Sequence, residues 1–311
     1  MPWTVRLLTG AWAIEAAMRQ VMAVVRYNFR GFHKNPRVIL SFLLGLILSY
    51  LLSDRVIQAA EGYRTAMQAA EPFIWTFGDT TAVLLASLLL LLLFSDLPKL
   101  NAATPYYLVR ITRRRWLAGQ FLYVGAATGL YVLWILASTM LLCIRYTFVG
   151  NQWSETAALL GYSSLGESLQ VPATVKAMES ISPYGCMLQV IFLLLCYSLT
   201  LSFLILLGSL LFSGGRGLLL GLAYSVYGFL LDPKVLGKLL GLEEWEMYKV
   251  RVFVGWVSPL NHGTYPSHNF GYDLLPTVAE SAAVFGAVLA LTALAALWRL
   301  RRYNFMFLGG R

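Results

Sequence analysis

The sequence predicts an all-α polytopic membrane protein with six transmembrane helices, and its composition and six long apolar tracts support that prediction. Hydrophobic residues make up 58% of the chain and charged residues only 13%, with a mean hydropathy of +0.66, too apolar for a soluble domain of this length. The spans must be helices, because a bilayer leaves no partner for open backbone and no alternating barrel pattern is present. The tracts cover residues 38–53, 80–95, 117–144, 187–212, 217–231 and 274–298.

The distribution of charge orients these tracts. Most of the 24 lysine and arginine residues lie in the N-terminal segment, in the second and fourth connections between tracts, and in the C-terminal tail. Of the 15 acidic residues, only Glu15 and Asp96 lie in those segments. Basic residues are retained on the cytoplasmic side during insertion, so both termini are predicted to be cytoplasmic. The net charge of +9 is explained by loops that face anionic lipid, without a nucleic-acid partner.

The tracts differ in length, although they form one domain. A hydrocarbon core about 30 Å thick needs roughly 20 helical residues to cross it, so tracts 80–95 and 217–231 are short. Each is expected to recruit flanking residues or to sit in a locally thinned bilayer. The chain, 1–311, is therefore predicted to be a single transmembrane domain that comprises a cytoplasmic interfacial segment (1–37), a six-span bundle (38–298) and a cytoplasmic tail (299–311).

The segment before the first tract mixes apolar and basic residues. Over residues 11–32 the apolar positions recur at helical spacing, which favours an amphipathic helix in the cytoplasmic interface. The alternative is a basic leader that only sets the topology. The residues that mark the predicted interfacial helix are Arg19, Arg26, Tyr27, Phe29 and Arg30.

The connection at residues 96–116 contains more apolar surface than a linker needs. Pro98 and Pro105 break the helix that leaves the second tract, and Tyr106–Trp116 could then form a short helix. A cluster that only sets topology would explain the arginines but not the apolar residues before them. Mixed apolar and basic surfaces often dock a soluble partner, and the candidate docking residues are Leu97, Tyr106, Tyr107, Leu108, Arg110, Ile111, Arg113, Arg114 and Arg115.

The connection at residues 232–273 is too apolar for a free loop, yet its charges exclude a regular span. Broken backbone at membrane depth is tolerated where protein buries it or where it lines a cavity. We therefore predict a re-entrant or interfacial hairpin on the outer face, broken near Gly241 and Pro259. Its marker residues are Trp245, Trp256, Pro259, Asn261 and His262.

Catalytic and cofactor sites are not predicted in this chain. It lacks the Gly-x-x-x-x-Gly-Lys-Ser/Thr phosphate-binding loop, so it cannot hydrolyse ATP by that route. No Asp, Lys or His lies near the middle of a tract, which argues against proton- or sodium-coupled transport.

Histidines near the end of the last connection leave three interpretations open. His268 and Asp273 have the His-x-x-x-x-Asp spacing of an acyltransferase motif, in which Asp orients a His base. Alternatively, these two residues and His262 could bind a metal. The favoured interpretation is that Asn261, His262 and Asn269 satisfy the broken backbone at the end of the hairpin.

The three cysteines lie within or at the ends of apolar tracts. Cys143 and Cys186 could both approach the outer face, where a disulfide is conceivable. Buried thiols that behave as small apolar side chains are the favoured interpretation for all three residues, which include Cys196.

With these features, the chain resembles the permease subunits of ABC-2-type exporters, small bacterial members in particular. The resemblance covers nearly the full length and lies in the arrangement of an interfacial helix, six spans, a basic helix after the second span and an outer hairpin before the sixth. Three short segments also look like sequences of that family: Phe-Ser-Asp-Leu-Pro (94–98), Arg-Arg-Arg-Trp-Leu-Ala-Gly-Gln (113–120) and Ser-Pro-Leu-Asn-His (258–262).

The resemblance implies one half of an ATP-driven exporter in a bacterial plasma membrane. Two permease subunits, identical or homologous, would pair and bind two cytoplasmic ABC ATPase subunits, which would hold the ATP and Mg²⁺ that this chain does not bind. In the family, segments that correspond to Leu97–Arg115 and Met18–Phe32 transmit ATPase closure. The exported molecule would be amphipathic, such as a lipid, drug or peptide. The alternative is a non-transporting assembly, immunity or sensor subunit that docks a soluble partner.

The predicted topology can be checked with fusions. A green fluorescent protein placed after residue 311 should fluoresce, because it folds in the cytoplasm, and alkaline phosphatase placed after residue 65 or 163 should be active, because it requires the outer side. An active phosphatase after residue 110 would contradict the orientation that the charges predict.

Overall fold

The computed structural model describes residues 3–98, 108–212 and 216–303, with side chains from residue 15 onwards except at position 244. About 76% of it is helical. The helices in chain order are α1 (Trp3–Phe29), α2 (Pro36–Tyr63), α3 (Glu71–Phe77), α4 (Thr80–Leu93), α5 (Arg113–Leu142), α6 (Glu155–Tyr162), α7 (Leu165–Ser168), α8 (Val175–Ser180), α9 (Pro183–Leu211), α10 (Leu218–Leu230), α11 (Pro233–Leu239), α12 (Met247–Val257), α13 (Pro259–His262) and α14 (Val278–Leu300).

The long helices indicate a multi-pass membrane protein. Four of those described, α2, α5, α9 and α14, are long and apolar enough to cross a bilayer. Two further pairs pass the same test only as bent units, with angles of 85° between α3 and α4 and 70° between α10 and α11. These pairs coincide with the tracts that are too short alone. Four to six spans are therefore compatible with the structure.

Side-chain caps fix where several helices begin. Asn35 accepts a hydrogen bond from the Arg37 amide at 3.0 Å at the start of α2, and Asp79 caps α4 in the same way. At the start of α14, Thr277 and Glu280 form a reciprocal capping box. Such caps satisfy backbone amides that have no partner within the helix. They explain why the apolar tracts become helices with sharp ends.

Helix α9 forms the centre of the bundle and packs against α3, α4, α5, α10 and α14. Hydroxyl groups tie the helices together inside this core. Thr128 of α5 and Ser202 of α9 lie 3.0 Å apart, and the Tyr131 hydroxyl of α5 donates to the Ala86 carbonyl of α4 at 2.9 Å. In lipid, such interhelical bonds and close packing replace much of the hydrophobic drive for association.

We call the end of the bundle where Asn35, Arg113 and Arg301 lie the basic end, and the other end the opposite end. At the opposite end two short strands, β1 (Met67–Gln68) and β2 (Thr147–Phe148), pair in parallel, and the structure remains compatible with the predicted all-α class. The ladder of hydrogen bonds joins the connections that follow α2 and α5.

A buried carboxylate strengthens this junction. Glu71 is fully buried and accepts hydrogen bonds from the Ser154 amide at 2.8 Å, the Ser154 hydroxyl at 2.5 Å and the Gln68 amide at 3.1 Å. Hydrogen bonds to a charged group are stronger than neutral ones. Glu71 therefore holds together two connections that are far apart in the sequence.

The substitution Glu71→Ala should lower the free energy of unfolding by about 3 kcal/mol, because it leaves three buried donors without an acceptor. Thermal unfolding of the detergent-purified protein measures this loss. Glu167→Ala, which removes an exposed carboxylate from the same end, should leave the unfolding temperature unchanged. Equal effects of the two substitutions would contradict the role of Glu71.

Candidate functional site

The first turns of α5 form the candidate site at the basic end. Helix α5 begins at Arg113, with Thr112 as its N-cap, and the chain turns over residues 109–112. The predicted continuous helix over Tyr106–Trp116 is therefore wrong in its described part, because the arginine cluster belongs to the long span. Tyr106 and Tyr107 lie outside the described residues.

Two of the three consecutive arginines bind other parts of the protein. The Arg113 guanidinium lies 3.3–3.5 Å from the carbonyl oxygens of Leu300, Arg301 and Tyr303, at the C-terminal end of α14. These oxygens carry the partial negative charge of a helix C-terminus, which a cation stabilises. Arg115 donates to the Gln20 side chain of α1 at 2.6 Å. The start of α5 thus connects α1 with α14.

Three of the candidate apolar docking residues lie within the described part of the chain, and none of them is fully exposed. Leu97 is only 8% exposed, and Leu108 and Ile111 are half-buried against the core. These three side chains contribute to the packing of the core, and docking of a partner at this segment stays a prediction.

The described part of the same loop also has an exposed surface. Val109 is 88% exposed, and Arg110 and Arg114 are exposed without a bonded partner among the described residues. We call Val109, Arg110 and Arg114 the exposed loop surface. Its apolar member, Val109, belongs to the apolar stretch that precedes the arginine cluster in the predicted docking segment.

Helix α1 packs tightly on α5. Val24 and Asn28 are buried, and a Cβ atom at Gly119 would lie 2.6 Å from the Val24 Cβ, so only glycine allows this approach. The Asn28 amide donates to Gln120 at 3.0 Å inside the interface. A movement of the start of α5 must therefore move α1 as well.

The predicted interfacial helix is amphipathic, and its apolar side is covered partly by α5. Arg19, Arg26 and Arg30 are exposed, whereas Tyr27 and Phe29 are half-buried. The Phe29 ring lies 4.9 Å from that of Tyr123 in α5. How α1 lies relative to a membrane remains a prediction.

The hairpin segment breaks where the sequence predicts. Helix α11 is followed by Gly241 at a φ of 65°, and Pro259 is the first residue of α13 and is buried. Trp256 donates its ring nitrogen to the Leu274 carbonyl at 3.0 Å, while Trp245 is 68% exposed. The breaks are confirmed, and the re-entrant placement in a membrane stays a prediction.

Two buried histidines share one hydroxyl beside this hairpin. The Ser281 oxygen lies 2.7 Å from His262 Nδ1 and 2.8 Å from His268 Nε2. The other ring nitrogens face the carbonyl oxygens of Trp256 and Thr264, each at 3.0 Å. Both of those nitrogens must carry hydrogen, because a carbonyl only accepts. The two nitrogens near Ser281 then compete for one hydroxyl hydrogen, and a single extra proton would satisfy every contact.

Burial nevertheless disfavours extra protons on either histidine of this cluster. Burial lowers the pKa of His262 below that of an ordinary histidine, although the Trp256 carbonyl opposes the shift. Burial also lowers the pKa of His268, and a charge on His262 lowers it further, against the effect of the carbonyls beside its ring. The cluster therefore resists full protonation.

These contacts decide among the interpretations of the histidines. The Asp273 carboxylate binds Lys176 at 2.5 Å, while His268 binds Ser281, so the structure does not form the His–Asp pair of an acyltransferase. No cluster of three metal-ligating side chains occurs among the described residues. His262 binds a carbonyl and Asn269 accepts from the Gly271 amide, as the favoured interpretation expects.

The Asn261 carbonyl accepts a hydrogen bond from the Thr264 amide at 3.1 Å, whereas its side chain forms no hydrogen bond within the described part of the chain. The cysteines Cys143, Cys186 and Cys196 are free thiols, so the conceivable disulfide is not formed.

Comparison with known proteins identifies no relative. No family model matches the chain, and neither a curated protein nor a solved structure matches it.

Acidification should weaken the packing of the hairpin on α14. Because the folded pKa of both histidines lies below the ordinary value of about 6.5, the unfolded chain takes up more protons than the folded protein as the pH falls below that value. The free energy of unfolding should therefore fall from pH 7 towards pH 5. Ser281→Ala should cost about 1–3 kcal/mol at neutral pH, whereas Ser168→Ala, at an exposed position, should have little effect.

Thermal unfolding at a series of pH values measures both effects. A histidine-free control, His262→Gln with His268→Gln, should lose most of the pH dependence between pH 7 and pH 5. An unchanged slope in that variant would contradict the assignment of the pH dependence to this cluster.

Proposed function

We propose that the protein is the membrane-spanning permease subunit of an ATP-driven exporter of the ABC-2 type. It would bind no cofactor itself and would couple ATP hydrolysis by a separate cytoplasmic ATPase to the export of an amphipathic molecule. The proposal rests on one observation, the exposed loop surface joined directly to the helix that links α1 and α14.

The charge pattern supports a cytoplasmic position for this surface. Val109 offers an apolar contact, and Arg110 and Arg114 offer cations that would pair with carboxylates of the ATPase. Arginine suits this role because its planar guanidinium binds carboxylates with two hydrogen bonds. A small, mainly basic surface of this kind fits a partner that must bind and still move.

Movement of the loop would also displace α1 and α14, because the start of α5 contacts both helices. Arg113 binds the C-terminal end of α14. Arg115 binds Gln20 of α1, and α1 also packs closely on α5 at Gly119. Closure of two ATPase subunits would therefore displace three helices of each permease together. In a dimer of identical or homologous permeases, this displacement would open a central path alternately to the two sides.

The interior of the long spans supports an amphipathic cargo. Among the described residues, the buried acidic and imidazole side chains are Glu71, His262 and His268. None of them lies in α2, α5, α9 or α14, and Glu71, in the bent pair of α3 and α4, is occupied by its bonds to Ser154 and Gln68. Ion-coupled carriers place such groups within their spans. A lipid, a drug-like molecule or a peptide therefore fits better than a small ion.

The second candidate is a non-transporting assembly, immunity or sensor subunit in the same membrane. It is favoured by the small area of the exposed loop surface, which a soluble partner without ATPase activity could also bind. The two candidates differ in the identity of the bound protein.

Affinity purification of the tagged protein from its native host tests the proposal. Two copies of a protein with a phosphate-binding loop should be recovered with the permease, and its ATPase activity should change on binding. The variant Arg110→Glu with Arg114→Glu should reduce recovery about tenfold or more, because like charges at an interface cost several kcal/mol.

The matched control is Lys234→Glu with Lys238→Glu, which reverses two exposed charges in α11 and should leave recovery unchanged. The reporter fusions described above verify that neither variant alters topology. Full recovery with the arginine variant would contradict the proposal, and recovery of a soluble protein without a nucleotide-binding motif would support the second candidate.

A further inference from the structure

A cavity of about 510 Å³ lies at the opposite end of the bundle. Its walls are α12, the loop that precedes α14, and Lys176 of α8. This volume is in the range of sites that enclose small ligands. The charge pattern of the sequence predicts that this end faces outwards.

Three hydrogen-bond donors in the cavity wall have no partner within the described part of the chain. They are the Arg251 guanidinium, the Asn261 amide and the Ser267 hydroxyl. Asn261 and Ser267 are half-buried and Arg251 is exposed, so all three donors are accessible to a ligand in the cavity. Three donors that line one cavity therefore favour a ligand rich in acceptor atoms.

The charges of the cavity favour an anion. Lys176 and Asp273 both line it, but they bind each other at 2.5 Å and so cancel. Arg251 is left as the net positive charge. An arginine with an amide and a hydroxyl nearby suits the several oxygens of a phosphate group, which arginine binds with two hydrogen bonds.

The rim of the cavity is apolar and aromatic. Tyr272 is 83% exposed, Leu274 is 74% exposed and Tyr248 is 57% exposed. Tyrosine is enriched at the level where lipid headgroups meet hydrocarbon, because its ring is apolar and its hydroxyl is polar. This rim suits a ligand with an apolar body attached to a charged head.

We propose that this cavity binds the phosphate group of an anionic amphipathic molecule, with Arg251, Asn261 and Ser267 as donors and Tyr248 and Tyr272 against the apolar part. Anionic membrane phospholipid is one source of this chemistry, and a soluble phosphate compound is the other. The proposal does not depend on export, since the site requires no ATPase.

Native mass spectrometry of the full-length protein in neutral detergent tests the site. The protein is titrated separately with short-chain phosphatidylglycerol, short-chain phosphatidylcholine and inorganic phosphate. We expect phosphatidylglycerol to bind at least about tenfold more tightly than phosphatidylcholine, whose choline cancels the phosphate charge. Arg251→Gln should weaken phosphatidylglycerol binding about tenfold or more, the factor that corresponds to one charged hydrogen bond.

Lys249→Gln is the matched control, because Lys249 is exposed on the same helix, binds Glu246 at 3.0 Å and does not line the cavity. It should bind phosphatidylglycerol as the wild type does. Arg251→Lys should retain part of the affinity, and Asn261→Ala should lose part of it. These variants separate loss of the donor from loss of the fold, which the unfolding temperature reports.

The outcomes separate the sources. Tight binding of phosphatidylglycerol supports a lipid site, and binding of inorganic phosphate without phosphatidylglycerol supports a site for a soluble phosphate compound. Equal binding of the two lipids, unchanged binding by Arg251→Gln, or equal loss with Lys249→Gln would overturn the proposal. Failure of the ATPase recovery test leaves these results unaffected, so the two proposals can fail separately.

Discussion

The close approach of α1 to the first turns of α5 is the constraint on which the basic end depends. It requires a glycine at position 119, because any larger residue would collide with Val24. Once the two helices are this close, the Asn28 amide can donate to the Gln120 side chain, and Arg115 can reach Gln20. Arg113 then secures the last helix from the same turn. These contacts connect the start of α5 firmly to both α1 and α14.

The spans were predictable because hydropathy is a local property of the chain. Each apolar tract contains or overlaps a described helix, and the short tracts proved to be the bent pairs. The breaks at Gly241 and Pro259 were predictable for the same reason, since glycine and proline act on their own backbone. The strands β1 and β2 were not, because two residues carry no periodic pattern and their pairing joins distant connections.

The sequence predicts where the candidate site lies, but not what each of its residues does. Four arginines lie between positions 110 and 115, and their sequence neighbourhood does not distinguish them. Their roles differ because Arg113 meets carbonyls 187 or more residues away and Arg115 meets a side chain 95 residues away. The same is true of apolar residues, since Leu97 is buried and Val109 is exposed although both lie in the same connection. Packing between residues that are far apart in the sequence decides whether such a side chain is bonded, buried or exposed, and this packing cannot be derived from a single sequence.

The buried carboxylate of Glu71 also has a consequence for biosynthesis. Its partner Ser154 is synthesised 83 residues later, after the whole of α5. Until α5 has been threaded into the bilayer, the carboxylate must remain hydrated, because burial without donors would cost several kcal/mol. The junction between the two connections therefore closes late, only after α2, α3, α4 and α5 have all been synthesised.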